Sequence, residues 1–197
     1  MKARALLGKQ RHVSKHIPSL PYEEAPVFFQ WLCTKDLTST LALRFLMLTL
    51  ARTSEIRLAT FVEIEDDIWV IPKERTKTGI EHRIPLVPEA RAIVAQCIQN
   101  GNHTLLFPSP TGKPMSDATM SRFMEREVYR VRPHGFRATF RTWGEEQTDT
   151  QFEVKESALG HKVDKGVVGA YQRSDRLDKR RILMGEWIAY LTRLTES

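Results

Sequence analysis

The sequence predicts an α+β domain, mostly helical, with one small three-stranded antiparallel sheet. Three observations predict it. Apolar residues recur at helical spacing over most of the chain after residue 20, and the spacing shortens to alternation only between residues 61 and 86. The third is size: 197 residues with 41% apolar content suffice for one buried core.

Residues 1–20 hold Lys2, Arg4, Lys9, Arg11, His12, Lys15 and His16 with few large apolar residues after Leu7, and are expected to be a basic linker or arm. The domain then runs over 21–197. Pro21-Tyr-Glu-Glu puts a proline and two acids in a first helical turn, followed by Val27, Phe28, Trp31 and Leu32 on one face. Thr38 to Leu50 is apolar apart from Arg44 and its hydroxyls, too long for a strand, and reads as a buried helix. Another helix begins in Ala51-Arg-Thr-Ser-Glu-Ile-Arg-Leu58 with Thr53 or Ser54 as N-cap. Arg52 stands at its start with no packing reason to be there. Glu55 either caps this helix locally or braces an arginine from behind, and capping is the expected single role.

Three short runs, Phe61-Val-Glu-Ile-Glu65, Ile68-Trp-Val-Ile71 and His82-Arg-Ile-Pro-Leu86, are separated by Asp66-Asp67 and by Pro72-Lys-Glu-Arg-Thr-Lys-Thr-Gly79. They form the sheet, and its second turn carries Lys73, Arg75 and Lys77. Gly79 would allow that loop to bring Lys77 over a neighbouring site. Pro88 to Gln99 is a helix with Ala90, Ile93, Val94 and Cys97 inward and Gly101 ending it. After a loop at 105–112, Ser116-Asp-Ala-Thr-Met120 caps a helix reaching about Tyr129. Short helices follow at Gln151–Leu159, broken by Gly160-His161, and through Val167–Tyr171. A last amphipathic helix from Asp175 to Leu194, with Leu177, Met184, Trp187, Ile188, Leu191 and Leu194 on one face, docks either on its own core or on a neighbouring protomer.

Composition narrows the function. Net charge is +6 from 30 basic and 24 acidic residues, with a pI near 9.5, which points to a polyanion and first to nucleic acid. Cys33 and Cys97 are neither a disulfide framework nor in zinc spacing, so a reduced intracellular protein is expected. No apolar run approaches membrane-spanning length, and no secretory leader is recognisable.

The stretch Arg132-Pro-His-Gly-Phe-Arg-Ala-Thr-Phe-Arg-Thr-Trp143 ties these threads together. Pro133 is preset for a helix start, so His134 and Arg137 fall about one turn apart at the positive end of a helix, where backbone N–H groups also face an anion. An imidazole beside a guanidinium in that place suits a phosphate.

Six segments then carry a resemblance: Ala51-Arg-Thr-Ser-Glu-Ile-Arg57; Ile71-Pro-Lys-Glu-Arg-Thr-Lys77 with His82-Arg-Ile-Pro-Leu86; Leu106-Phe-Pro-Ser109; Lys113-Pro-Met-Ser116; Pro133-His-Gly-Phe-Arg137; and Leu159-Gly-His161 followed by Ala170-Tyr-Gln-Arg173. In this order the chain resembles the catalytic domain of tyrosine recombinases, the phage integrase family, and within it the integrases of P4-like prophages and genomic islands. The resemblance implies that Arg52 and Arg137 clamp the scissile phosphate, with His134 between them in the motif, Lys77 on a mobile hairpin and His161 in the second box. It implies that Tyr171, ten positions after His161, is the nucleophile. Lys165 departs from the asparagine common in the P4-like subgroup. The family's core-binding and arm-binding domains have no room before Tyr22 and are expected to be absent.

The chemistry needs these residue types. Two arginines neutralise a phosphodiester by bidentate contacts. A phenol of unperturbed pKa ~10 must pass its proton to a neighbour, and a histidine near ~6.5 can take it. Lys77 is the best-placed acid for the leaving 5′-oxygen. The resulting 3′-phosphotyrosyl link keeps the bond energy, and rejoining needs no cofactor. No carboxylate cluster suited to Mg²⁺ is apparent in the sequence. The resemblance implies site-specific recombination or integration on double-stranded attachment sites, with other integrase protomers in a synaptic tetramer, in the cytoplasm of a bacterial host at the nucleoid. Two alternatives share parts of the signal: type IB topoisomerase-like nicking and resealing, and a non-catalytic DNA-binding module. Tyr22, Tyr129 and Tyr190 lack the surrounding box and suit packing or surface roles.

Overall fold

A computed structural model describes residues 18–101, 104–127, 129–161 and 175–193. Helix α2 (Thr38–Thr49) lies at its centre, with every residue from Leu41 to Leu48 buried except the half-buried Arg44. Its start is tied by Thr40, whose hydroxyl accepts the Leu37 N–H at 3.1 Å and donates to the Leu37 carbonyl at 2.8 Å. Its end is Leu50, a non-glycine residue at φ 58, whose N–H still reaches the Leu46 carbonyl. A left-handed leucine costs about 1–2 kcal/mol, so the surrounding structure must hold it there.

Around α2 lie α1 (Ala25–Cys33), α3 (Thr53–Arg57), α4 (Pro88–Gln99), α5 (Thr119–Arg126) and α8 (Leu177–Thr192). The remaining helices are α6 (Gly135–Gln147) and α7 (Phe152–Ala158). The buried Lys155 pins these two together by donating from Nζ to the Gly144 carbonyl at 3.2 Å and to Glu145 at 2.6 Å. Aromatic rings fill the middle. Phe45 packs between Trp69 and Phe107, and Trp187 of α8 packs against Phe140 and Trp143 while its indole N–H donates to the Met47 carbonyl at 2.9 Å. Helix α8 thus docks on its own core.

The sheet is β1 (Ile64–Glu65), β2 (Ile68–Ile71) and β3 (His82–Pro85), antiparallel in that order. Trp69 pairs with Ile84 and Ile71 with His82, and all four are buried. Alternation in His82-x-Ile84-x-Leu86 therefore puts the histidine on the core face.

Several expectations shift. Val27 is exposed although Phe28 and Leu32 are buried, because the inward face of α1 is Ala25, Phe28, Phe29 and Leu32, and at helical spacing Val27 falls on the opposite side. Phe61–Glu63 is a 3-10 turn and leaves only two residues to β1. Arg52, and not Thr53 or Ser54, is the N-cap of α3. Helix α5 starts at Thr119, since Asp117 pairs with Arg57 and Ser116 with the Thr119 hydroxyl, and it stops at Arg126 before reaching Tyr129. Residues 18–20 pack on α6: the Pro18 carbonyl accepts from the Arg132 N–H and the Leu20 carbonyl from the Thr139 hydroxyl. The expected helix at Val167–Tyr171, Leu194 and most of the basic arm lie outside the described residues.

Candidate active site

The site is built where three chain reversals meet. The first is the left-handed turn at Leu50, which sends Arg52 away from the buried α2 and starts α3 at once. Glu55, 1% exposed, accepts the Arg52 backbone N–H at 2.7 Å with Oε2 and the Arg52 guanidinium at 3.0 Å with Oε1. Capping and bracing are one act here. Arg52 Nη2 donates onward to the Gly160 carbonyl at 3.1 Å.

The second is the start of α6, where His134 is the N-cap residue. Gly135 follows because a Cβ there would stand 2.4 Å from the Pro18 carbonyl oxygen. One turn in is Arg137, 4% exposed, whose Nη1 donates to the Leu50 carbonyl and whose Nη2 donates to the Leu159 carbonyl at 2.5 Å and faces His161 Nε2 at 3.0 Å. Its contact with Leu50 helps to hold the strained turn. Burial first and the neighbouring Arg52 second lower the Arg137 pKa to about 10, still far above neutral, so the charge is kept.

The third is the turn after α7, Leu159-Gly160-His161, with Gly160 at φ 60. Both arginines grip its carbonyls from one side. On the other side the His82 ring comes within 2.9 Å of where a Gly160 Cβ would be, so only glycine fits. His82 is 8% exposed and its ring nitrogens make no hydrogen bond to the described residues, the Ser157 backbone being only close enough to favour its proton weakly. Burial, then the charges of Arg180, Arg137 and Arg52, push its pKa down to about 3. It is a neutral wedge beneath the turn.

His134 as a whole is exposed, but partial desolvation of its ring, followed by the electrostatic influence of Arg137, Arg52, His161 and Lys77, lowers its pKa. Lys77 is exposed in the β2–β3 hairpin and acts electrostatically on His134. The arginine of the hairpin loop is already engaged: Arg75 donates to the Leu58 and Glu55 carbonyls and to Glu63, fixing the loop base against α3. Gly79 takes φ 67 at its far end.

Arg52, Arg137 and His161 are thus joined through one turn, and His134 and Lys77 share their field; Tyr171 lies outside the described residues. The other tyrosines are engaged elsewhere. A hydrogen bond to the Glu146 carboxylate is the main cause that pushes the Tyr22 phenol up to about 12, Tyr129 packs on Phe28 and Trp31, and burial raises Tyr190. Sequence reasoning missed His82 and Glu156. The alternation of β3 carried a signal for the first. For the second, the only trace was its place one helical turn before the Gly160 break.

Comparison with known proteins bears on the whole arrangement. The model of the phage integrase family matches residues 19–177. The chain belongs to the phage integrase family. Among curated relatives, the integrase of enterobacteria phage P4 is 30% identical over 202 residues, covering 90% of this chain and 46% of its own length. The prophage integrases IntA and IntZ of Escherichia coli K12 are 31% and 30% identical, covering 97% and 87% of this chain and 48% and 44% of their own lengths. The chain spans about half the length of these family members. In fold it is similar to a lambda integrase(75-356) dimer bound to a COC′ core site, at TM-score 0.61 and 20% identity over 80% of this chain and 62% of that one. It is also similar to the lambda integrase catalytic core, at TM-score 0.57 and 19% identity over 75% of this chain and 93% of that one. At those identities the likeness speaks for the integrase fold. No helix among the described residues is long and apolar enough to cross a membrane.

Proposed function

We propose that this chain cuts and rejoins DNA as a tyrosine recombinase, through a 3′-phosphotyrosyl intermediate, and that it is the catalytic domain of a site-specific integrase. The observation that carries the reading is the meeting of Arg52 and Arg137 at the Leu159–His161 turn, two guanidinium groups braced from behind with His134 and Lys77 in the same field. Such a cluster of fixed cations is matched to a phosphodiester and to the extra charge of its five-coordinate transition state.

In this scheme Arg52 and Arg137 hold the non-bridging oxygens, joined by His161. The Tyr171 hydroxyl attacks phosphorus, its proton passing to His134, whose lowered pKa keeps the imidazole free to accept it. The phosphorus–5′-oxygen bond breaks and Lys77 gives the leaving oxygen its proton. A second 5′-hydroxyl reverses the steps on another strand, so no external energy source is consumed. The partners are duplex DNA and further copies of the protein, met in the cytoplasm where bacterial DNA is exposed. Phage P4 integrase and the lambda integrase tetramer bound to a Holliday junction are family members whose names fit this role. The resemblance and charge set further suggest that residues 1–17 serve as a basic arm and that attachment-site choice rests on other domains.

The test is covalent trapping on a set of nicked duplexes of randomised sequence. A DNA adduct at the wild-type chain that is lost in Tyr171→Phe is the expected result. Retarded mobility without an adduct would identify a binding module, and relaxation of a supercoiled plasmid without strand exchange a topoisomerase-like enzyme. Arg137→Ala should abolish trapping with modest loss of DNA binding; equal cleavage by that variant would refute its clamp role.

A further inference from the structure

One charged chain behind the arginine pair is left unused by this scheme. Glu156, on the last turn of α7 and 9% exposed, places Oε2 2.8 Å from Nδ1 of His161, and its backbone carbonyl accepts the His161 N–H at 3.0 Å. Its other oxygen lies 3.4 Å from Nε of the exposed Arg141, an ion pair without a hydrogen bond, so His161 is the hydrogen-bonded side-chain partner of the carboxylate among the described residues. On the opposite edge of the imidazole, Nε2 faces the Arg137 guanidinium at 3.0 Å.

The two partners dictate the same arrangement of the ring. A carboxylate can only accept, so Nδ1 must carry a proton; a guanidinium can only donate, so Nε2 must offer its lone pair. We propose that Glu156 is a positioning residue that locks His161 in the Nδ1–H tautomer and orients its Nε2 toward Arg137 and the phosphate position. This rests on the recombinase reading for its consequence, though not for its geometry. Without Glu156 the ring is free to turn or to move its proton to Nε2. It would then present an N–H to the N–H of Arg137, and the guanidinium would lose one of the three contacts that set its plane. The arrangement follows the carboxylate–imidazole logic by which a buried acid fixes a histidine tautomer without itself taking the proton.

Two measurements on the full chain test this. In long-range ¹H–¹⁵N correlation spectra near neutral pH, the histidine whose signals vanish in His161→Gln should show the Nδ1–H pattern. It should change to a mixture or to Nε2–H in Glu156→Ala, while Glu156→Gln, which keeps an acceptor, retains part of the original pattern. In covalent trapping, Glu156→Ala should slow adduct formation about 10- to 100-fold, by analogy with the loss when the carboxylate partner of a metal-bound histidine is removed, and should cost nothing further in a His161→Ala background. An Nε2–H pattern in the unmodified protein, or one untouched by Glu156→Ala, overturns the proposal. So does an equal trapping loss in both backgrounds, which would mark Glu156 as merely structural. If Glu156→Ala does not fold, Glu156→Gln carries both measurements. Should the unmodified chain form no adduct at all, the recombinase reading fails while the spectra still decide the role of Glu156.

Discussion

Glu55 meets Arg52 twice, once at the backbone N–H and once at the guanidinium, with a carboxylate that is almost wholly out of solvent. Removing it in Glu55→Ala takes away a helix cap and leaves a largely buried arginine without its counter-charge. The expected loss of unfolding free energy is about 3 kcal/mol, from denaturant titration. Glu55→Gln keeps an acceptor for the backbone and should lose less stability, yet trap DNA as poorly as Glu55→Ala. Equal trapping by Glu55→Gln and the wild type would show that the charge behind Arg52 is immaterial.

Gly160 and His82 should behave as one unit. Gly160→Ala adds a left-handed alanine and a collision with the His82 ring, together about 2–4 kcal/mol. In a His82→Ala background only the backbone part, about 1–2 kcal/mol, should remain. A thermal-melt double-mutant cycle with no coupling would remove His82 from beneath the turn.

His82 also sets a pH dependence of stability. Its folded pKa, about 3, lies below the ordinary value of 6.5. Between those values the unfolded chain binds the proton and the folded one does not, so stability is full above about 6.5 and falls as pH is lowered toward 3. Lowered in the same direction, His134 adds to the slope. His82→Leu should flatten the curve of unfolding free energy over this window; an unchanged slope counts against a buried neutral imidazole.

The lowered His134 pKa makes a kinetic prediction of its own sign. A base works deprotonated, so the second-order trapping rate, which reports the free enzyme, should hold its plateau below pH 6.5 before the acid limb begins. An acid limb centred above 6.5 would exclude His134 as the proton acceptor.

Much of this was legible before the fold was known, for reasons that differ by residue. Helix α4 was read with its buried face intact because Ala90, Ile93, Val94 and Cys97 keep strict spacing between a proline and a glycine. Arg52 stood out because a charge after a buried helix has no local excuse. The N-cap of α3 was misplaced because Arg52 uses a side chain three residues on for its cap, which composition at the cap position does not reveal. His82 and Glu156 stayed hidden because their partners, Gly160 and His161, are brought to them by chain reversals, one across 78 residues and the other across five. Val27 departs from the expected face because Ala25, Phe28, Phe29 and Leu32 keep the i, i+3, i+4, i+7 spacing and turn it outward, a pattern that the sequence carries but that a face drawn through Val27 and Trp31 overlooks.

Helix α8 packs along α1, with the Tyr22 and Tyr190 rings 6.0 Å apart and the Gln30 amide donating to the Arg193 carbonyl at 2.8 Å. The first turn after the opening segment and the last helix thus meet through Tyr22 and Tyr190. Arg180 meanwhile ties the far end of that helix to the Arg83 carbonyl of β3, one strand position from the wedge beneath the second-box turn. One unbroken helix thus spans from the surface of α1 to the strand that seats His82 against Gly160.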